Sequence, residues 1–361
     1  MLIRAATRGS ALARWQTDRL IGLLNAVRPD VDVEVVVVQT TGDLDRTTPL
    51  EQMGGRGVFV KEVQAAVLDG RADIAVHSAK DLPALTPEGL VLACVPERAD
   101  ARDVLVGCRW ADLAYGATVA TGSIRRRAHL AHLRPDLVFS GLRGNIGTRL
   151  EKAAGFDAIV MAAAALDRLG IRPDVADRLD PSVLLPQVGQ GAMAVECRTD
   201  DEGVREVLAA VEDAVARRTV DAERAFLAEL GAGCDLPIAA HAVLDGDEVL
   251  LAGAISSLDG AVLLREARRS VDGPTLGRTL ARHLLDERGG AALLASQCAR
   301  WPVAPLSSPG PPTRPAASPV PSPTWAPRSS SCRWSQSLSR PMVVPPCPPP
   351  CPLPTGTTGS S

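Results

Sequence analysis

Short β-branched runs alternate with amphipathic ones along this chain, and the alternation occurs twice in the same order. Leu2 to Ala6 reads as an apolar strand. Thr7-Arg8-Gly9-Ser10 then opens a helix to about Arg28, with Ser10 as N-cap and Pro29 as the stop. Trp15, Ile21, Leu24 and Val27 are its expected buried stripe. Val31 to Val38 predicts an inner strand, and a glycine-rich loop, Met53 to Gly57, leads to a helix from Val58 to Asp69. Asp73-Ile74-Ala75-Val76 is a strand running into His77-Ser78-Ala79-Lys80-Asp81-Leu82-Pro83. The second block repeats the scheme. Thr118 to Ala120 is strand-like, Thr121-Gly122-Ser123 opens a helix ending before Pro135, and Leu137 to Phe139 is a strand. Arg143 to Arg149 leads into another helix, and Asp157-Ala158-Ile159-Val160 echoes the strand at 73–76. Such a chain is confined to layered α/β architecture.

Two α/β lobes facing a cleft follow from the repeat. Ala192 to Cys197 predicts a strand returning to the first lobe, so lobe 1 comprises 1–96 with 192–212 and lobe 2 comprises 97–191. A helix from Thr219, strands near 238–244, 248–255 and 262–269, and a helix from about Thr275 to Arg288 make a smaller α+β domain over 213–300. Beyond 300 the composition breaks: residues 302–361 hold most of the prolines and no Asp, Glu, Lys, Asn, Ile or Phe. Too little apolar surface is available there to offset ordering entropy, and the tail is expected to be disordered.

Composition removes several classes of function. With 361 residues, 46% hydrophobic and 22% charged, the chain can bury a sizeable core. A formal net charge of -3 gives no general affinity for nucleic acid. No apolar run reaches membrane-spanning length, and Met1-Leu2-Ile3-Arg4 enters a strand directly, so neither a membrane span nor a signal peptide is expected. The 8 cysteines are scattered without a CxxC pair, as reduced thiols would be. The 5 histidines are dispersed too; His129 and His132 share a helix without a third partner, and no metal site is expected.

Chemistry concentrates where arginines meet strand-to-helix corners. Arg125 and Arg126 fall in the first turn of the helix capped by Ser123, where cations oppose the helix dipole by roughly 0.3–1 kcal/mol each. An anion that completes the site would resolve the conflict. Arg8 stands at the other Ser-capped corner, and Arg143 and Arg149 flank the Gly144–Gly147 loop. Ligands of α/β domains bind at such corners, so the expected ligand is a multiply charged anion. Lys80-Asp81 also follows a strand. Asp81 can serve as an acid/base or as an anchor for cationic N–H groups, against the plainer reading of an Asp-Leu-Pro turn with a solvated ion pair. Neither glycine-rich loop has the spacing of a P-loop or dinucleotide fingerprint. Cys234, in Gly231-Ala232-Gly233-Cys234-Asp235-Leu236, follows a helix C-terminus that disfavours thiolate. It suits a structural role or a single permanent attachment better than acyl transfer.

Seven stretches then carry a resemblance: Ala6 to Ser10, Gly54 to Glu62, Ala72 to Pro83, Ser123 to Arg126, Leu142 to Leu150, Val188 to Ala192, and Gly233 to Ile238. Together, in order from about residue 2 to 297, they closely resemble the hydroxymethylbilane synthases, also called porphobilinogen deaminases. The resemblance implies a three-domain transferase of tetrapyrrole biosynthesis, cytoplasmic and monomeric, with two lobes built like the periplasmic binding proteins. Such enzymes condense four porphobilinogens head to tail, release ammonia each time, and free the linear tetrapyrrole by hydrolysis. The growing polypyrrole chain starts on a dipyrromethane cofactor, thioether-linked to the cysteine matching Cys234. Asp81 matches the catalytic carboxylate. Lys80, Thr121, Ser123, Arg125, Arg126 and Arg149 match positions around the cofactor, while Arg8, Ser10, Arg143 and Arg168 match positions that hold substrate or growing chain. The sequence departs from the family at Arg56, where lysine is more usual, at Ala120-Thr121-Gly122-Ser123 and at Gly231-Ala232. A non-catalytic anion-binding protein of the same two-lobed build is the alternative, but it would need neither Asp81 nor a tethering cysteine.

Overall fold

The computed structural model describes residues 1–40, 60–231 and 236–299, all within one compact unit, Met1–Ala304. The Gly54–Gly57 loop with Arg56, Cys234, where attachment is expected, and the 301–361 tail lie outside the described residues.

Two five-stranded mixed sheets share one topology. In the first, β1 (Leu2–Arg8) lies between β2 (Asp32–Val38) and β3 (Ile74–Ser78), parallel to both. Further out come β4 (Leu90–Cys94) and, between β3 and β4, an antiparallel strand from much later in the chain, Met193–Arg198. The second sheet holds β5 (Asp103–Val106), β6 (Thr118–Ala120), β7 (Val138–Ser140), β8 (Ala158–Ala162) and β9 (Ala176–Arg178) in the order β7-β6-β8-β5-β9. Here β6 is parallel to β7 and β8, and β5 runs antiparallel between β8 and β9. Each sheet thus takes its antiparallel fourth strand from chain that has just crossed over from the other, β5 in one case and Met193–Arg198 (β10) in the other. The segments 95–102 and 187–192 make those two crossings.

Register explains the strand lengths. β1 runs two residues beyond its expected end because Thr7 and Arg8 pair with Val37 and Val38 of β2. The helix Ala11–Val27 packs on this sheet with only Leu24 of its expected stripe fully buried. Ala13, Gln16, Thr17, Leu20 and Leu24 are buried, whereas Val27 is exposed and Trp15 half-buried. Leu20 and Leu24 pack with Ile3, Ile74, Val76 and Val195. Trp15 faces Arg168 instead, whose guanidinium lies 5.5 Å from the ring centre.

The remaining strands, β11 (Ile238–Asp245), β12 (Glu248–Ser256) and β13 (Leu263–Ser270), form an antiparallel meander. The helices Ala214–Glu229 and Gly273–Arg282 cover one face, where Phe226, Leu227, Ile238, Leu251, Ile255, Leu276 and Leu280 form its core. The first of these helices starts at Ala214, earlier than Thr219, because Asp213 caps it by accepting from Ala216 N. The second is α-helical only to Arg282 and continues as a π turn over His283–Glu287. The helix expected from Val58 is described from Lys61. The two lobes and the meander domain together give an α/β fold with a small α+β component.

Candidate active site

Every cleft residue singled out from the sequence and described in the structure sits at the end of a parallel strand, just past one, or on the helix that follows it. Past β1, Ser10 caps Ala11–Val27 by accepting from Ala13 N. Past β3, Ser78 leads into a single 3-10 turn, Ala79–Asp81, that carries Lys80 and Asp81 side by side. Past β6, Thr121 Oγ1 accepts from Ser123 N, and Ser123 in turn caps the helix Ile124–Leu133 by accepting from Arg126 N. Past β7, Asn145 caps the helix Ile146–Glu151, and Arg149 Nε donates back to Gly144 O at 2.8 Å. Past β8, the short helix Ala163–Arg168 ends in Arg168. Strand carboxyl ends gather these groups because the parallel strands of each sheet point the same way.

Arg125 and Arg126 are not displayed on the surface of the cleft. They are 4% and 5% exposed, and both are paired with Asp103 of β5, which is fully buried. Arg125 Nη2 lies 2.8 Å from Asp103 Oδ2, and Arg126 Nη2 lies 2.8 Å from Oδ1. Arg126 Nη1 also donates to Val160 O, and Arg125 Nη1 to Leu185 O. The anion that the sequence reading reserves for a ligand is therefore supplied in part from within the protein. Burial works to raise the Asp103 pKa, and the two guanidinium charges with a Gln190 hydrogen bond outweigh it, holding it at about 2. Two guanidiniums against one carboxylate still leave a net positive charge. Arg125 Nε is buried without a hydrogen-bond partner among the described residues.

Other cations reinforce that field. Burial, and then the neighbouring Arg126 charge, lower the Lys80 pKa to about 8. Burial first and Arg126 second bring Arg149 to about 10, with Asp81 acting in the opposite direction. Arg168, brought to about 10 by burial, donates from Nη2 to Gly191 O at 2.7 Å.

Two recesses flank the 3-10 turn. Arg8, Ser10, Gln16, His77, Ser78 and Asp81 line one. Lys80, Ser123, Arg125 and Arg224 line the other, together with Leu227 and Leu236 from the meander domain. Neighbouring residues of one turn thus serve different recesses, Asp81 the first and Lys80 the second. Arg143 lines neither, although its charge acts on Arg149.

Three residues at the site were not singled out from the sequence: Asp103, Arg224, and Gln190, although the last lies within the Val188–Ala192 stretch. Arg224 donates to Pro83 O and Ala84 O, just past Asp81. Only packing of distant segments reveals them.

Comparison with known proteins accords with this geometry. The family model for the porphobilinogen deaminase dipyromethane cofactor binding domain matches residues 3–206, and that for the porphobilinogen deaminase C-terminal domain matches residues 217–286. The porphobilinogen deaminase of Roseiflexus castenholzii is 47% identical over 295 residues, covering 80% of this chain and 97% of that protein. Those of Nitratidesulfovibrio vulgaris and Syntrophus aciditrophicus are both 44% identical, over 300 and 302 residues, covering 80% and 81% of this chain and 95% and 97% of theirs. With two matched domains, near-complete coverage of its relatives and a cationic cleft around one aspartate, the chain belongs to the porphobilinogen deaminase family, the transferases that make hydroxymethylbilane from porphobilinogen on a dipyrromethane cofactor.

Proposed function

We propose that the Arg8–Ser10–Asp81 recess takes porphobilinogen and that the Lys80–Ser123–Arg125 recess holds the dipyrromethane cofactor, tethered through a thioether to Cys234. The division of one turn between two recesses is the observation that supports this reading. Leu236, the first described residue after the stretch containing Cys234, lines the second recess.

The donor set suits such a group. A dipyrromethane presents an acetate and a propionate on each ring, and the second recess offers an ammonium, a Ser123 hydroxyl and a guanidinium whose Nε has no partner among the described residues. Guanidinium forks match carboxylates geometrically, so Arg125, Arg126 and Arg149 would bind the acidic arms, with Thr121 and Lys80 completing the set. When bound, the cofactor supplies the primer that condensation extends.

Asp81 would do the chemistry at the first recess. Its carboxylate accepts a hydrogen bond from the pyrrole N–H of the incoming monomer. As the C–N bond of the protonated aminomethyl group breaks, ammonia leaves with the bonding electrons, and the ring becomes a cationic azafulvene. A fixed carboxylate stabilises that developing charge far better than water does. After the new carbon–carbon bond forms, the displaced ring proton needs an acceptor, and Asp81 Oδ would take it. Arg8, Ser10, Arg143 and Arg168 would hold the acidic side chains of the monomer and of the lengthening chain.

The domain boundaries 1–96 with 192–212, 97–191 and 213–300 fit this scheme, with the two crossings at 95–102 and 187–192 joining the lobes. Successive additions would be accommodated by lobe movement while Asp81 stays at the reacting end. Trapped intermediates with identical lobe arrangements at every chain length would contradict that movement. A monomer working in the cytoplasm completes the proposal; no helix among the described residues is long and apolar enough to cross a membrane.

Intact-mass measurement provides the test. Protein made with porphobilinogen available should carry an adduct equal to two linked pyrrole units, and Cys234→Ala should lack it. Asp81→Ala should keep the adduct's binding cleft yet lose nearly all ammonia release. A folded, unmodified wild type, or near-normal turnover in Asp81→Ala, would refute the assignments.

A further inference from the structure

Gln190 is fully buried and lies in the crossing that returns the chain from the second sheet to the first. Its side-chain amide spans two charged groups of opposite sign. Oε1 accepts from Lys80 Nζ at 3.4 Å, while Nε2 donates to Asp103 Oδ1 at 3.0 Å and to Ala101 O at 2.7 Å. Asp103 is the carboxylate that holds Arg125 and Arg126. One neutral amide therefore joins the ammonium beside β3 to the arginine pair beyond β6.

The backbone around it is built to hold that amide still. Gln190 O accepts from Arg98 Nε and Nη2 at 3.0 and 2.9 Å, and Arg98 is itself paired with the buried Glu223, Nη1 to Oε1 at 2.7 Å. Glu223 Oε2 also accepts from Gly189 N at 2.7 Å. On the other side, Gly191 has φ 85°, and a Cβ there would come 2.4 Å from Ala99 O. An amide fixed this firmly has a fixed polarity: its oxygen faces the cation and its nitrogen faces the anion.

We infer that Gln190 is a positioning residue for cofactor binding, orienting the Lys80 ammonium toward the cofactor carboxylates while keeping Asp103 turned to the two arginines. The inference rests on the reading of Lys80 as a carboxylate-binding group. A neutral partner is essential to it. A carboxylate at 190 would bind Lys80 more tightly and compete with the cofactor, and an apolar side chain would remove this contact to the ammonium. The charged groups acting on Lys80 are Arg126, Asp81, Asp103 and Arg125, from both lobes.

The test compares the gap in melting temperature between holoprotein and apoprotein, the latter made without porphobilinogen, with adduct content read by intact mass. A purely structural role for Gln190 would lower both forms equally and leave the gap unchanged. Gln190→Met is expected to narrow the gap by about half, and the double variant with Lys80→Met should narrow it no further than Lys80→Met alone, the signature of two groups acting as one. An unchanged gap in Gln190→Met, or additive losses in the double variant, overturns the role of Gln190. An unchanged gap in Lys80→Met overturns the underlying reading of Lys80 instead. If Gln190→Met does not fold, Gln190→Glu, close to the native shape, takes its place: a narrowed gap supports the inference and a native gap refutes it.

Discussion

Lys80 shows how much the surroundings of one side chain decide. A solvent-exposed lysine keeps its charge to high pH, but burial and the nearby Arg126 bring Lys80 to about 8. Below that value the apoprotein offers the cofactor an ammonium, and above it a neutral amine that attracts carboxylates weakly. Conversion of apoprotein to holoprotein, followed by intact mass, is therefore expected to slow as pH rises through about 8. Lys80→Arg should abolish that alkaline decline, since a guanidinium stays charged there. A decline that persists in Lys80→Arg would have to come from another group and would refute this role. The sequence locates Lys80 beside Asp81 but cannot supply the shift, because the arginines responsible come from the other lobe.

The turn before the helix Ile124–Leu133 is the element that sets the geometry of the second recess. Gly122 falls in the Ala120-Thr121-Gly122-Ser123 stretch that departs from the pattern the sequence resembles, and the structure shows what the glycine permits. A Cβ at that position would meet Leu142 O at 2.7 Å, so the β6 corner and the 141–145 loop approach closely only with glycine here. Gly122→Ser is expected to cost about 1–3 kcal/mol of stability through overpacking against that carbonyl. Denaturant unfolding of the apoprotein would measure it, and a native midpoint would show that the loop yields without strain. On its other side, the helix is gripped by the β12–β13 hairpin, with His132 Nδ1 2.9 Å from Gly260 O and Arg127 Nη2 donating to Leu258 O at 3.3 Å. The helix that carries Arg125 and Arg126 is thus held by both its own lobe and the meander domain.

One buried imidazole of that helix contributes to the stability of the whole molecule against acid. His129 is 1% exposed, and its Nε2 has no hydrogen-bond partner among the described residues. Burial, reinforced by the Arg125 charge, lowers its pKa to about 3. Between its ordinary value of 6.5 and about 3, the unfolded chain binds a proton that the folded chain does not. Stability is therefore full above that ordinary value and falls as pH drops through the window, by up to about 1.4 kcal/mol per pH unit. His129→Leu should flatten the dependence of melting temperature on pH between about 6 and 4.5, in the upper part of that window. An unchanged slope would mean that other groups govern acid lability.

The sequence by itself determined the α/β class, the Ser-capped corners, the return of 192–197 to the first sheet and the family, through long motifs that keep their order. Those are local or sequential properties: period, capping chemistry and residue identity along a stretch. Its errors were of range and face, as with the Trp15 stripe, because two amphipathic faces of one helix are told apart only by what packs against them. Tertiary structure alone decided that Asp103 neutralises half of the Arg125–Arg126 charge, that Gln190 bridges Lys80 to Asp103, and that Lys80 and Asp81 face different recesses. Each of these joins segments far apart in the chain. Electrostatic pairing in a buried cleft depends on distance in space, which no spacing along the sequence encodes.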